Sequence, residues 1–219
     1  MAEIFKVGGC VRDTLLGLNS NDIDFTFVCG NSQTVEEGWG EMITWLTENK
    51  FEIFLKTPDC FTIRAKFPKD HQFEGLVADF VMARKEVGYM KGTRRPILEL
   101  GTLEDDLIRR DFTVNAIAED IDGTLIDPFG GVEDLKTGLL RTPTDAKTTM
   151  MEDPLRILRA LRFSLTKNLH ITVGLRDAMK QSNILKKLEQ TVSQERIREE
   201  IAKMMKFDSV QTMRILVDV

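Results

Sequence analysis

Asp22 and Asp24 stand two apart in the run Asp-Ile-Asp-Phe-Thr-Phe-Val. On a strand, side chains two apart share a face. The pair therefore sets negative charges side by side, which is costly unless a cation neutralises them. Hard oxygen donors of this kind suit magnesium, held jointly with water and substrate phosphates. A short way upstream lies Gly8-Gly9-Cys10-Val11-Arg12-Asp13. Paired glycines between a strand and a helix let backbone N–H groups approach a phosphate with no Cβ in the way. Arg12 adds a positive charge one helical turn in. A lone D-x-D is a common strand feature, with Asp22 as a cap and Asp24 on a solvated face. Joined to the glycine pair, it points to polyphosphate chemistry.

Two further clusters extend that reading. Arg109, Arg110 and Asp111 open the run RRDFTVNA. At the mouth of a strand, such a set can bind a phosphate and a ribose hydroxyl; the plain alternative is a surface ion pair. The run EDPLRILRALRF (residues 152–163) has Pro154 suited to a first helical position, with Asp153 as its N-cap. Arg156, Arg159 and Arg162 recur every three residues, close to one helix face. With no acidic partner on that stretch, they call for an anionic ligand. Asp153 and Arg156, one turn apart, offer an acceptor and a planar donor fork. These complement the amino-bearing edge of cytosine or adenine. Uracil and guanine present carbonyl oxygens there, which a carboxylate repels. Such a pair selects C and A without a template.

The elements that must position these groups change character along the chain. Ile4–Val7, Asp22–Val28, Phe61–Phe67 and Leu76–Met82 read as strands. Val11–Leu16 reads as a helix stopped by Gly17, and Thr34–Asn49 as a helix with Trp39, Ile43 and Leu46 on one side. Residues 84–96 form a basic, glycine-bearing loop of net charge +4, with Gly88 and Gly92 as hinges. Leu103–Ile108 is a short helix. Phe112–Ile121 and Thr124–Ile126 flank Asp122-Gly123, a strong hairpin signal. A helix over residues 132–140 follows Gly130-Gly131. From Pro154 the pattern is helix only, over Pro154–Leu165, Val173–Leu188 and Ser193–Met205. The expected fold class is α+β: a small head with a mixed β-sheet flanked by helices over residues 1–142, then an all-helical neck over residues 143–219.

Composition narrows the classes. At 219 residues, with 42% hydrophobic and 30% charged side chains, the chain can bury a core. Its apolar runs are too short to span a bilayer, and no basic stretch precedes an apolar one at the N-terminus. Cys10, Cys29 and Cys60 form an odd set without metal-ligand spacing, so a reducing cytoplasm is expected. His71 and His170 are the only histidines, which leaves no histidine-rich metal site and little basis for a Ser-His-Asp mechanism. Residues 1–153 carry 17 basic and 28 acidic side chains, net −11, while residues 154–219 carry 13 and 7, net +6. An acidic front that needs a cation and a basic back suit an enzyme of polyphosphate or nucleic acid.

At these residues the sequence resembles the class II tRNA nucleotidyltransferases, the CCA-adding enzymes, and the related bacterial poly(A) polymerases. The motifs match in order: GGCVRD with DID; RRDFTVNA; DLKTGLLR (Asp134 to Arg141) behind IDPFGG; EDPLRILRALRF; and SQERIREE (Ser193 to Glu200). The resemblance implies that Asp22 and Asp24 hold magnesium, with Asp79 in VADFVMAR as a third catalytic carboxylate. It implies that Gly8, Gly9 and Arg12 contact the triphosphate, and that Arg110 and Asp111 hold phosphate and ribose. Asp153 and Arg156 would read the base edge, with Arg159 and Arg162 supporting the nucleotide. Asp134 and Arg141 match a motif linked to reorientation between C and A addition. Arg196 with Glu199 or Glu200 matches one that buttresses the base-reading helix. Residues 84–96 match a loop needed for the switch from C to A.

The implied activity is Mg2+-dependent, template-independent addition of C and A from CTP and ATP to the 3′ end of tRNA, with no membrane partner. The alternatives are a poly(A), A-only or CC-only enzyme, a transferase acting on another acceptor, or an inactive RNA-binding module on the same fold. Relatives continue into helical body and tail domains that grip tRNA, so the resemblance speaks more for the chemistry than for that grip. No His-Asp phosphohydrolase module is expected.

Overall fold

Alternation builds the centre of the sheet. In β2 (Asp24–Val28), Phe25 and Phe27 point to one side and Asp24 and Thr26 to the other. Phe25 stacks on Phe80, their ring centroids 5.3 Å apart, in an apolar core that includes Phe27, Met42, Leu46, Phe51, Ile63 and Phe67. A computed structural model describes residues 1–20, 22–89 and 96–217.

In chain order, the first part runs β1 (Glu3–Val7), α1 (Gly9–Leu15), β2, α2 (Val35–Glu48), β3 (Glu52–Thr57), β4 (Thr62–Lys66), β5 (Val77–Met82), β6 (Arg84–Tyr89), β7 (Pro96–Leu100), α3 (Leu103–Ile108), β8 (Ala118–Glu119) and β9 (Leu125–Ile126). The main sheet has the order β3-β4-β5-β2-β1-β8-β9. β2 is antiparallel to β1 and parallel to β5, and β5 is antiparallel to β4. Thr34 and Glu37 form a capping box that starts α2, whose Val35, Gly38, Met42 and Leu46 face the core.

The remainder runs α4 (Gly131–Thr137), β10 (Leu139–Leu140), α5 (Ala146–Glu152), α6 (Arg156–Lys167), β11 (His170–Ile171), α7 (Val173–Met179), α8 (Ser182–Thr191), α9 (Gln194–Phe207) and α10 (Ser209–Val217). Its core gathers Ile157, Leu158, Leu161 and Phe163 of α6 with Met179, Ile184 and Met204. Phe112 meets Phe163 edge to face, with ring centroids 5.7 Å apart.

Two compact units result. The first comprises Met1–Arg109 and Asn115–Pro128; the second, Arg110–Val114 and Phe129–Val219. The division thus comes earlier than residue 142. Local bonds explain it: Asp134 accepts from Thr113 and Arg141, and β10 pairs with β11.

Several expected elements differ in detail. Residues 84–89 are not loop but strand, paired antiparallel with β7 from Arg84↔Leu100 onward. A backbone ladder needs no apolar side chains, so a basic run can form it. Residues 90–95, the centre of the expected hinge loop, lie outside the described residues. β3 was not expected, because a bulge between Ile53 and Leu55 breaks its alternation. The helix expected over residues 173–188 is two, since Gln181 leaves helical backbone (φ −71°, ψ 125°). That turn lets Met179 and Ile184 enter one core. The helix after Gly130 ends at Gly138 (φ 69°), which frees β10. Of the Phe112–Ile121 arm, only Ala118–Glu119 is strand, antiparallel to β9.

Candidate active site

In the first unit, strand register sets three side chains in a row. Asp24 of β2 lies directly opposite Asp79 of β5. Asp79 in turn lies opposite Arg64 of β4. Asp22, just before β2, is exposed, while Asp24 is half-buried. Asp22, Asp24, Arg64 and Asp79 line a polar cleft of about 200 Å³. Arg64 binds Asp79 through both nitrogens of a fork, Nε to Oδ1 at 2.8 Å and Nη2 to Oδ2 at 2.6 Å. Hydrogen bonds from Arg64 to Asp79, then the charges of Asp79, Asp22 and Asp24, raise the Arg64 pKa above its ordinary value.

The donor chemistry fits magnesium. Two carboxylates beside a polar cleft are what that ion uses, with water and substrate phosphates completing its shell. Among the described residues, no group of three or more carboxylate, histidine or thiol side chains is gathered to hold a metal. Asp22 and Asp24 are carboxylates of the cleft that could hold such an ion, while Asp79 is bound by Arg64.

The glycine turn is built around a buried guanidinium. Gly8 caps α1 at φ 75°, ψ −134°, a conformation that a Cβ opposes. Its N–H donates to the Ile117 carbonyl at 3.4 Å. Gly9 needs no special backbone: a Cβ there would lie 3.5 Å from Arg12 Nη2, an ordinary contact. Arg12 donates through Nε to Asp13 at 2.9 Å and through Nη1 to the Asn115 side chain. Arg12 is therefore a fixed, buried strut behind the turn. Burial pushes the neighbouring Cys10 thiol pKa up, which makes it an inert packing group.

In the second unit, Arg159 and Arg162 of α6 have acidic partners that lie far along the chain. Asp111 is buried and receives Arg159 through Nε at 2.7 Å and Nη2 at 2.6 Å. Its other oxygen accepts the Phe112 N–H. Arg110 beside it is half-buried. Burial disfavours the Arg159 charge, but Asp111, Glu200 and Asp153 outweigh it and raise the pKa. Arg162 donates to the buried Glu200 at 2.6 Å and sits over the Phe163 ring, 4.3 Å from its centroid. Of the two candidate glutamates, Glu200 faces α6, whereas Glu199 is exposed.

The expected base-reading pair lies at the α5–α6 junction. Asp153 accepts the Leu155 N–H at 3.2 Å and pairs with Arg196 of α9 at 3.1 Å. Arg156 donates to the Thr149 carbonyl at 3.0 Å and pairs with Glu152 at 3.3 Å. Each side chain is thus held in place by a neighbour. The Asp134–Arg141 pair closes a separate knot: Arg141 Nε reaches Asp134 at 2.7 Å, and Arg141 Nη2 reaches the Phe129 carbonyl at 3.2 Å.

Sequence reasoning missed Arg64, the bond from Arg12 to Asn115, and the Thr26–Asp106–Arg109 chain, which engages an arginine expected to bind phosphate. Thr26 donates to Asp106 at 2.9 Å, and Arg109 to Asp106 at 2.7 Å, which ties α3 to the Asp24 side of β2. A polar alternation, Thr62-Arg64-Lys66, was the available signal for Arg64.

Comparison with known proteins gives one consistent group. Residues 4–141 match the family model described as the poly A polymerase head domain. The chain is 33% identical over 207 residues to the mitochondrial CCA tRNA nucleotidyltransferase of Candida glabrata, covering 90% of this chain and 38% of that protein. Among solved structures, the CCA-adding enzyme of Bacillus stearothermophilus in complex with CTP aligns with a TM-score of 0.78 and 26% identity, over 100% of this chain and 48% of that one. A tRNA nucleotidyltransferase complexed with a primer tRNA and an incoming ATP analog aligns at 0.71 and 31% identity, over 98% and 56%. The chain spans less than half the length of the curated relatives it matches. Among the described residues, no helix is long and apolar enough to cross a membrane.

Proposed function

The chain belongs to the class II CCA-adding enzyme and poly(A) polymerase family, and from that membership we propose that it transfers CMP and AMP from CTP and ATP to the 3′ end of tRNA. The observation that carries the reading is the row of Asp24 opposite Asp79, with Asp22 beside it, in one polar cleft. The 3′-hydroxyl oxygen bonds to the α-phosphorus, the bond to the bridging oxygen breaks, pyrophosphate leaves, and the hydroxyl proton passes to solvent. Magnesium, held by Asp22 and Asp24, would supply charge neutralisation and a more acidic 3′-hydroxyl. The Gly9 backbone offers an N–H donor to the triphosphate, while Gly8, bonded to the Ile117 carbonyl, and Arg12, fixed by Asp13 and Asn115, keep that turn in shape. Catalysis is then mainly positioning and electrostatics.

On the second unit, Asp153 and Arg156 serve as acceptor and donor for the amino-bearing edge of C or A. Arg196 and the Thr149 carbonyl hold those two side chains at the helix junction. Asp111 and Glu200 orient Arg159 and Arg162, and Arg110, next to Asp111 in the chain, is assigned to phosphate from the family resemblance. The relatives crystallised with CTP, or with a primer tRNA and an ATP analog, support these substrate classes. Three free cysteines fit a reducing compartment, and we place the protein in the cytoplasm.

The match to a poly(A) polymerase head supports a second reading, A-only extension on the same site. One experiment separates them. Incubation with tRNA lacking its terminal CCA, labelled CTP and ATP, and magnesium is expected to give a product longer by C, C and A, with UTP and GTP unused. A ladder of A residues would favour the second reading. Asp24→Asn turning over within a few-fold of the parent would overturn both.

A further inference from the structure

The Arg64 fork is a strong contact in the catalytic cleft that the proposed chemistry does not use. Register alone places it: Arg64, Asp79 and Asp24 occupy matched positions on β4, β5 and β2. The Arg64 side chain is 54% exposed and that of Asp79 27%. An exposed ion pair of this kind contributes little to stability. Its consequence lies in what it competes with. Asp79 would extend the Asp22–Asp24 oxygen set, and a guanidinium already occupies both of its oxygens.

The geometry points to Arg64 as a positioning residue that acts as the internal counter-cation of the cleft, so that its grip on Asp79 sets how tightly a divalent cation binds. Without a cation, the fork neutralises the carboxylate nearest to it and keeps like charges on β2 and β5 compatible. When a divalent cation arrives, Asp79 is shared or handed over, and the exposed Arg64 side chain is free to turn toward solvent or an anionic substrate. The cation and Arg64 therefore bind Asp79 in competition. The inference rests on the nucleotidyl-transfer reading for the identity of the cation.

The test is Mn2+ binding to the nucleotide-free chain, followed by the electron paramagnetic resonance signal of the free aqua ion. Arg64→Gln is expected to bind Mn2+ roughly fivefold tighter than the parent, because a nearby positive charge is removed and Asp79 is released. Arg64→Lys keeps the charge and should stay near the parent, which shows that the site still folds. In an Asp79→Asn background, the gain from Arg64→Gln should shrink to about twofold or less, the mark of an effect that runs through Asp79. Unchanged or weaker binding by Arg64→Gln, with parent binding still lost in Asp22→Asn, would overturn the role of Arg64 and leave the metal reading standing. A parent that binds no Mn2+ at Asp22 would overturn both.

Discussion

Glu200→Gln is the sharpest test of how the second unit holds α6. The Glu200 side chain is 5% exposed and takes Arg162 Nε at 2.6 Å, with Arg162 itself 16% exposed. Lys203 lies 3.7 Å away and Arg159 3.9 Å. Glutamine keeps the shape and one acceptor but removes the only anion facing three cations in these contacts. Breaking a buried pair from one side typically costs about 3–5 kcal/mol. Two features lower that figure here. Arg162 retains its place over the Phe163 ring, and Arg159 keeps Asp111. The expected loss is therefore about 2–3 kcal/mol, or roughly 5–10 °C in Tm for a chain of this size.

The assay is urea or thermal unfolding followed by far-ultraviolet circular dichroism, which is weighted toward the helical second unit. Both tryptophans, Trp39 and Trp45, belong to the first unit, so their fluorescence reports elsewhere. Glu199→Gln, on the exposed side of the same helix turn, is the control and should stay within about 0.5 kcal/mol of the parent. A Glu200→Gln variant no less stable than Glu199→Gln would refute the reasoning. The buried carboxylate would then be incidental to α6.

Two further outcomes follow from local geometry. Gly8→Ala should lose about 1–3 kcal/mol from backbone strain at φ 75°, whereas Gly9→Ala, with its Cβ in ordinary contact, should melt like the parent yet bind CTP more weakly; equal CTP affinity in Gly9→Ala would remove the backbone-to-phosphate approach. For Glu41, burial alone would raise the pKa, but the Ser32 hydroxyl and the N–H groups of Gly30, Asn31 and Ser32 outweigh it and hold the carboxyl below its ordinary value. A depressed folded pKa stabilises above the unfolded value and is lost as pH falls through the folded one. Glu41→Gln should therefore flatten the decline in stability below about pH 4, and an unchanged acid limb in the variant would contradict that linkage.

The legible parts of this molecule were those written in local pattern. Asp22–Val28 reads as a strand from its alternation, α2 from its apolar spacing, and the β8–β9 hairpin from Asp122-Gly123. The D-x-D was legible because adjacent carboxylates are costly without a cation, and the structure sets Asp22 and Asp24 in one polar cleft. Elements without such a pattern escaped. β3 hides behind a bulge, and β6 is a charged run that pairs antiparallel with β7. Arg156 has Glu152 one turn before it, but Arg159 and Arg162 have no acid within a helical turn in the sequence and so looked unpartnered. Asp111 and Glu200 supply the missing charge from far away along the chain.

Arg64 shows why the rest could not be read. Nothing in Phe-Thr-Ile-Arg-Ala-Lys marks one cation over the next, and Lys66 shares its strand face. The choice is made by register. A slip of one residue between β4 and β5 would turn Arg64 to the opposite face of the sheet and away from Asp79. That register is fixed by the buried alternates, Ile63 opposite Phe80 and Ala65 opposite Ala78, whose apolar side chains fill the far side of the same sheet. The core thus decides which cation faces the carboxylates of the cleft. A core substitution that let β4 slip, such as one at Ile63, would alter the cleft without touching any residue that lines it.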